Sequence, residues 1–251
     1  MGADMRFTFW IITVALLAAA APAQEYGNWT LDLEAGAAFS GYNDVRIPGD
    51  TGTRFSLTED LETDPAAYWR VRLSYTLGER HTLSVLAAPL RLEAEGTVDF
   101  PIDYEGVTFP AGAPLTANYR FDSYRLSYRY DFLIRENLVL GAGFTAKVRD
   151  AAIRLAAPGL GAEKTNTGFV PLIRFRLQWN WNPAWAFLLE GDALAAPQGR
   201  AEDVLAALAY DLSPRVSLKA GYRILEGGAD NDEVYSFALV HYAAAGLLLR
   251  F

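Results

Sequence analysis

The sequence contains no cysteine and only two histidines, His81 and His241, among its 251 residues. Disulfide bonds and cysteine-based metal sites are therefore excluded, and histidine-based catalysis or metal binding has few residues to draw on. Basic side chains are also in the minority, with 22 against 30 acidic ones and a net charge of −8. We expect no nucleic-acid partner, because a phosphate-binding surface needs an excess of basic charge.

Long apolar runs are missing too, apart from one at the start of the chain. That run, 7–20, follows Arg6 and is itself followed by small residues. This order is typical of a secretory signal peptide over 1–23, cleaved before Gln24, which leaves a single domain over 24–251. A membrane anchor is the alternative interpretation of the leader, but the run is short for a helix that spans a bilayer.

What the rest of the chain does have is alternation of apolar and polar residues. In the stretch VSLKAGYRI, for example, Leu218 falls on one face, and Lys219 and Arg223 fall on the other. A β-strand directs successive side chains to opposite sides, so the pattern predicts two-faced strands. Ten strands are predicted, at 28–39, 67–77, 82–95, 117–132, 137–150, 168–181, 184–195, 203–212, 216–226 and 234–251.

Three features favour a membrane barrel over a soluble β-sandwich. The polar face is charged on strand after strand, while the apolar face stays almost free of charge for about 9–11 residues, the length of a tilted strand that crosses a bilayer. Aromatic residues gather at the strand ends, as in interfacial girdles. They are Trp29, Trp69, Tyr130, Phe132, Trp179, Trp181, Trp185 and Phe251.

The third feature is that short and long connections alternate along the chain, as in outer-membrane barrels with short periplasmic turns and longer outer loops. The short turns are predicted at 78–80, 134–136, 182–183 and 213–215. The long loops are predicted at 40–66, 96–115, 156–167, 196–202 and 226–233. The expected fold class is therefore all-β: a transmembrane antiparallel up-and-down β-barrel of about ten strands, with eight strands as the alternative.

The last predicted strand keeps its apolar face to the terminal residue, with Leu247, Leu249 and Phe251 on one side. A terminal aromatic residue after alternating apolar residues resembles the C-terminal signature of bacterial outer-membrane β-barrel proteins. The resemblance implies export through the periplasm to the outer membrane and a role for Phe251 as the assembly signal. It also implies two partners, the barrel-assembly machinery and the outer-membrane lipids.

The inward-facing charged residues are the candidate site, as a charge network in the lumen. They are Asp32, Glu34, Arg70, Arg72, Arg125, Arg129, Lys147, Arg174, Arg176, Glu190, Asp192, Lys219 and Arg223. Opposite charges on neighbouring strands stabilise each other, so pairs are expected at equal height. The expected pairs are Asp32 with Arg72, Glu34 with Arg70, Glu190 with Arg176, Asp192 with Arg174, and Asp211 with Lys219.

The function expected from this network is non-enzymatic: either a structural membrane element filled by ion pairs, or a narrow pore that favours anions. One alternative is a surface adhesion or ligand-binding barrel that works through its long loops, the first of which is acidic. A lipid-acting hydrolase is a further alternative, but by parity His241 faces lipid and Ser236 points the other way, while His81 stands at a turn. No cofactor, metal site or catalytic residue is expected.

Overall fold

The computed structural model of the protein describes residues 28–196 and 199–251, so the predicted signal peptide over 1–23 lies outside the described residues. Strands dominate the described ranges. They are β1 Trp29–Arg46, β2 Phe55–Ser56, β3 Glu62–Thr63, β4 Ala66–Leu77, β5 His81–Ala88, β6 Arg91–Gly96, β7 Ile102–Tyr104, β8 Val107–Phe109, β9 Leu115–Ile134, β10 Leu138–Ala157, β11 Leu160–Asn180, β12 Trp185–Ala196, β13 Gly199–Ser213, β14 Val216–Asp230 and β15 Tyr235–Arg250.

Antiparallel pairing joins these strands into a closed barrel. Strand β1 pairs with β4 on one side and with β15, the last strand, on the other. Strands β5 and β6 act as one wall strand that is interrupted near Pro89, and both pair with β9. The predicted ten-stranded barrel is thereby confirmed. Among the described residues, no helix is both long enough and apolar enough to traverse a bilayer.

The outer wall carries an apolar belt. On β9 the side chain of Leu126 is 58% exposed, whereas its neighbour Arg125 points inward and is 4% exposed. The outward rows change from apolar to ionised at Asp122, which pairs with Arg91, and at Asp150, which pairs with Arg120. Because a bilayer favours apolar side chains only over its hydrocarbon depth, these two carboxylates mark the extracellular edge of the belt.

Three of the predicted long loops, at 156–167, 196–202 and 226–233, are wrong. At the second of them, β12 ends at Ala196 and pairs directly with Gly199, where β13 begins. Strands β10 and β11 stay paired up to a tight turn at Gly159, whose φ of 78° suits glycine. Strands β14 and β15 similarly stay paired up to 230 and 235. Above the belt the outer face of a strand meets water, so its residues need not be apolar and the alternation no longer reveals the strand.

The two connections at 47–65 and 97–114 are long, and they fold over the extracellular end of the barrel as a cap. The backbone N–H of Thr53 donates to the carbonyl of Asp103 at 2.9 Å, and the hydroxyl of Tyr104 donates to the carbonyl of Ile153 at 2.7 Å. The cap and the upper inner wall share one apolar core. Its members include Ile47, Phe55, Leu57, Leu61, Val98, Ile102, Tyr104, Phe109, Leu90, Leu92, Tyr119, Leu155, Leu205, Val240 and Tyr242.

Candidate functional site: the charged lumen

Below the shared apolar core, inward-facing ionised side chains fill the lumen as a layer that we call the lumen network. Its members are Asp32, Glu34, Arg70, Arg72, Arg125, Arg129, Asp131, Lys147, Arg174, Arg176, Glu190, Asp192, Asp203, Lys219 and Arg223. A smaller apolar cluster of Ala186, Leu188 and Ala209, with Leu248 packed on it, lies on the periplasmic side of this layer. The charged layer therefore has the apolar core above it and a small apolar patch below it.

Asp203 on β13 is the hub of the network and is only 2% exposed. Its carboxylate accepts hydrogen bonds from Arg70 at 2.8 Å and also from Arg125 and Arg223. These arginines stand on β4, β9 and β14, so one carboxylate ties together strands from different parts of the wall. A buried carboxylate needs this number of partners, because its loss of hydration is costly unless it is paired and hydrogen-bonded.

Glu34 on β1 is the second centre. Arg223 donates to its two carboxylate oxygens at 2.8 and 2.9 Å, and Lys219 donates at 2.9 Å. The strand register places Glu34 opposite Arg70 and Asp32 opposite Arg72, as the sequence predicts. The predicted pair of Glu34 with Arg70 is present, with Arg70 Nε 3.9 Å from the carboxylate. The predicted pair of Asp32 with Arg72 is not formed: Asp32 binds Lys219 at 2.7 Å, and Arg72 reaches Glu190 at 2.7 Å.

On the far wall, β11 and β12 bring the remaining predicted pairs together. Arg174 lies 3.2 Å from Asp192, and Arg176 lies 3.6 Å from Glu190. Asp192 is also 2.7 Å from the guanidinium of Arg125, which therefore bridges Asp192 and Asp203. The network is thus continuous across the lumen rather than a set of separate cross-strand pairs.

The predicted pair of Asp211 with Lys219 is wrong. The register sets Asp211 opposite Ser217, whose hydroxyl donates to it, and the carboxylate lies 3.5 Å from Arg250. Lys219 stands one layer higher, opposite Ala209, and binds Asp32 and Glu34 instead. The cause is that the turn sets Asp211 opposite Ser217, so Lys219 lies two residues farther along its strand and closer to Asp32 and Glu34.

The prediction missed two members, Asp131 and Asp203. Both have the inward parity of the other network residues, and this was the signal available in the sequence. Asp131 pairs with Arg129, two residues away on the same strand, at 2.7 Å. Asp203 stood at the predicted start of its strand, where a charged residue is easily taken for part of a loop, but β13 begins at Gly199 and buries it.

The two histidines lie on the outer face of the wall. His241 stands opposite Phe39 and Ile224, and its Nδ1 shares a hydrogen bond with the hydroxyl of Tyr222. His81 Nδ1 lies 2.8 Å from the hydroxyl of Tyr128. Within the residues that the structure describes, no three His, Asp or Glu side chains are grouped as metal ligands.

Comparison with known proteins gives a fold and no closer relationship. No protein-family model matches the sequence, and no curated protein matches it. Among solved structures, the outer membrane protease OmpT from Escherichia coli is similar, with a TM-score of 0.54, 10% identity, and coverage of 92% of this chain and 99% of that one.

Two smaller barrels are also similar at lower TM-scores. The attachment invasion locus protein Ail of Yersinia pestis has a TM-score of 0.42 and 12% identity, with 89% of this chain and 99% of that chain covered. Neisserial surface protein A has a TM-score of 0.37 and 15% identity, with 91% and 100% covered. The similarity to OmpT shows that the chain has the fold of a bacterial outer-membrane β-barrel, and the predicted outer-membrane location agrees with this fold.

Proposed function

We propose that this protein is a non-enzymatic structural element of the outer membrane whose lumen is closed to solutes. The observation that carries the proposal is the filling of the lumen. Arg174, Asp203 and Leu205, from the charged layer and the apolar core above it, are each no more than 2% exposed. Barrels of about this strand number are filled by their own side chains, whereas barrels of about 16 strands hold an aqueous channel.

The proposal includes two partners of the barrel, the outer-membrane lipids and the assembly machinery. The apolar belt binds outer-membrane lipids, and the assembly machinery recognises the final strand. Phe251 is 45% exposed, and its backbone exchanges hydrogen bonds of 3.0 and 3.1 Å with Trp29, next to the point where the first and last strands meet. The terminal side chain is therefore accessible, while its backbone belongs to the closed wall.

Planar-bilayer recording tests the closed lumen. We expect the refolded protein to give no discrete current steps, because an ion would have to cross both the lumen network and the apolar core. A general porin in the same chamber serves as the positive control. Changing Arg174 and Arg176 together to alanine thins the charged layer but leaves the apolar core in place, so this variant also stays silent. Stepwise currents through the wild-type protein would contradict the proposal.

Surface binding through the cap is the second candidate function, and an acidic groove favours it. The groove has a volume of about 480 Å³ and is lined by Glu59, Asp60, Glu62 and Glu95, among others. Glu62 stands directly opposite Glu95 in the register of β3 and β6. Like charges in this position destabilise a strand pair, so a cationic ligand would relieve their repulsion.

Point substitutions test this candidate better than deletion of the first loop, because Phe55, Leu57 and Leu61 of that loop belong to the apolar core. We expect the double change Glu62→Gln and Glu95→Gln to weaken binding of an oligolysine peptide roughly fivefold. This factor corresponds to about 1 kcal/mol, the contribution that an exposed ion pair can make. The control is Glu233→Gln, on the exposed turn before β15. Equal binding by both variants would exclude the groove.

A further inference from the structure

Lys147 on β10 is the one member of the lumen network that lacks an acidic partner. It is 2% exposed, and no hydrogen bond or ion pair joins its Nζ to any described residue. Its Nζ lies over the ring of Phe121, 4.7 Å from the ring centroid. A buried ammonium is costly without a counter-charge, and a cation–π contact offsets only part of that cost.

The neighbours of Lys147 add positive charge. Arg125 stands directly opposite on β9, with both of its terminal nitrogens bound to Asp192 and Asp203. Arg149 follows two residues along the same inward face. One of its terminal nitrogens donates to Asn166, but its Nε has no partner among the described residues. Lys147 and Arg149 therefore hold unused donors on the same side of one strand.

The composition of the lumen network also leaves positive charge without a partner. It contains nine basic and six acidic side chains, an excess of three positive charges, and every acidic member is bound to an arginine or to Lys219. Asp203 acts on Lys147 electrostatically, but Arg70, Arg125 and Arg223 already share its carboxylate, so no acid of the network forms an ion pair with Lys147. A bound anion would supply the missing charge and accept the unused donors.

The strand next to these two residues, β11, has one edge without a strand partner in its upper part. Strands β11 and β12 pair only between Ile173 and Asn180 on the β11 side, so within the described ranges Leu160–Leu172 pair with β10 alone. Lys147 and Arg149 face inward opposite Val170 and Gly168 of this singly paired segment. We call the edge of β11 above Ile173, which has no β12 partner, the seam. It lies near the extracellular edge of the apolar belt, beside Val148 and Asp150.

We propose that Lys147 and Arg149 form a binding site for one phosphate group, or for a similarly compact oxyanion, that enters from the extracellular side along the seam. Residues i and i+2 of a strand have Cβ atoms roughly 7 Å apart. The side chains of Lys147 and Arg149 can therefore both donate to one oxyanion between them. The phosphate comes either from solution or from a lipid headgroup of the outer leaflet, because the seam reaches the edge of the belt. Lys147 belongs to the charged layer and Arg149 lies two residues farther along the same inward face, and the site does not depend on the proposed function.

The three lysines of the chain, Lys147, Lys164 and Lys219, allow a direct test. Protein labelled with ¹⁵N at the lysine Nζ is refolded in detergent and titrated with inorganic phosphate at constant ionic strength. We expect the ammonium signal of Lys147 to shift saturably, while those of Lys164 and Lys219, which pair with Glu105 and with Asp32 and Glu34, stay fixed. A neutral amine at Lys147, or a signal that ignores phosphate, would overturn the proposal.

Two variants and a lipid arm sharpen the result. Arg149→Gln should weaken phosphate affinity at least roughly tenfold, the effect of losing one hydrogen bond to a charged group, whereas Lys164→Met should leave it unchanged. Equal affinity in the wild type and Arg149→Gln would contradict the assigned site. In nanodiscs held in phosphate-free buffer, a Lys147 shift with phosphatidic acid in the bilayer, but not with phosphatidylcholine alone, identifies a headgroup. Response to inorganic phosphate alone identifies a soluble anion, and response to neither excludes both.

Discussion

Replacing Asp203 with asparagine should lower the free energy of unfolding of the barrel by about 3–5 kcal/mol, the usual cost of removing one partner from a buried ion pair. The change keeps the volume of the side chain and removes only its charge. Three arginines, Arg70, Arg125 and Arg223, would then share a buried amide in place of a carboxylate. Their mutual repulsion adds to the loss of the pairs, because the network already carries an excess of positive charge.

Urea titration in lipid vesicles, followed by tryptophan fluorescence, measures this loss. The matched control is Asp211→Asn, which makes the same chemical change at the periplasmic rim, where the Asp211 side chain is 44% exposed. We expect the control to change the free energy of unfolding by less than about 0.5 kcal/mol, as exposed pairs usually do. If the two variants lose stability equally, Asp203 is not the hub of the network.

Leu126→Arg should cost about 2–4 kcal/mol of stability in a bilayer, because it places a charge on the lipid-facing side of β9, well inside the apolar belt. The wild-type side chain is among the most exposed apolar ones of the chain. In a water-surrounded protein, an arginine at so exposed a position would be tolerated. The substitution therefore separates a lipid-facing surface from an ordinary solvent-facing one.

Leu160→Arg provides the matched control for this prediction. Leu160 is also exposed, but it stands at the turn between β10 and β11, beyond the ionised row that ends the belt. We expect its replacement to leave folding into vesicles almost unchanged. Refolding yield at several bilayer thicknesses, read from the same fluorescence signal, compares the two variants. Equal yields for both would mean that the belt around Leu126 does not face lipid.

The sequence by itself determined where the strands lie and which side chains face inward, because both follow from alternation with a period of two residues, which is a local property. Each strand that crosses the belt was predictable, because lipid outside and charge inside impose opposite chemistry on successive residues. The same parity predicted that Glu34 and Arg70 would stand opposite each other, which the register shows. The alternation did not predict the upper half of β10 and β11, because water replaces lipid there and the chemical contrast between the two faces of each strand disappears.

Only the tertiary structure decided which charges meet. Arg72 and Glu190 are 118 positions apart along the chain, and their contact depends on the width of the lumen and on the length of an arginine side chain. The folding of two long connections into an apolar cap was likewise invisible to alternation, since irregular segments carry no period. Partner choice inside a closed barrel is a non-local property, because every strand can reach across the lumen to several others, and distance rather than sequence order selects among them.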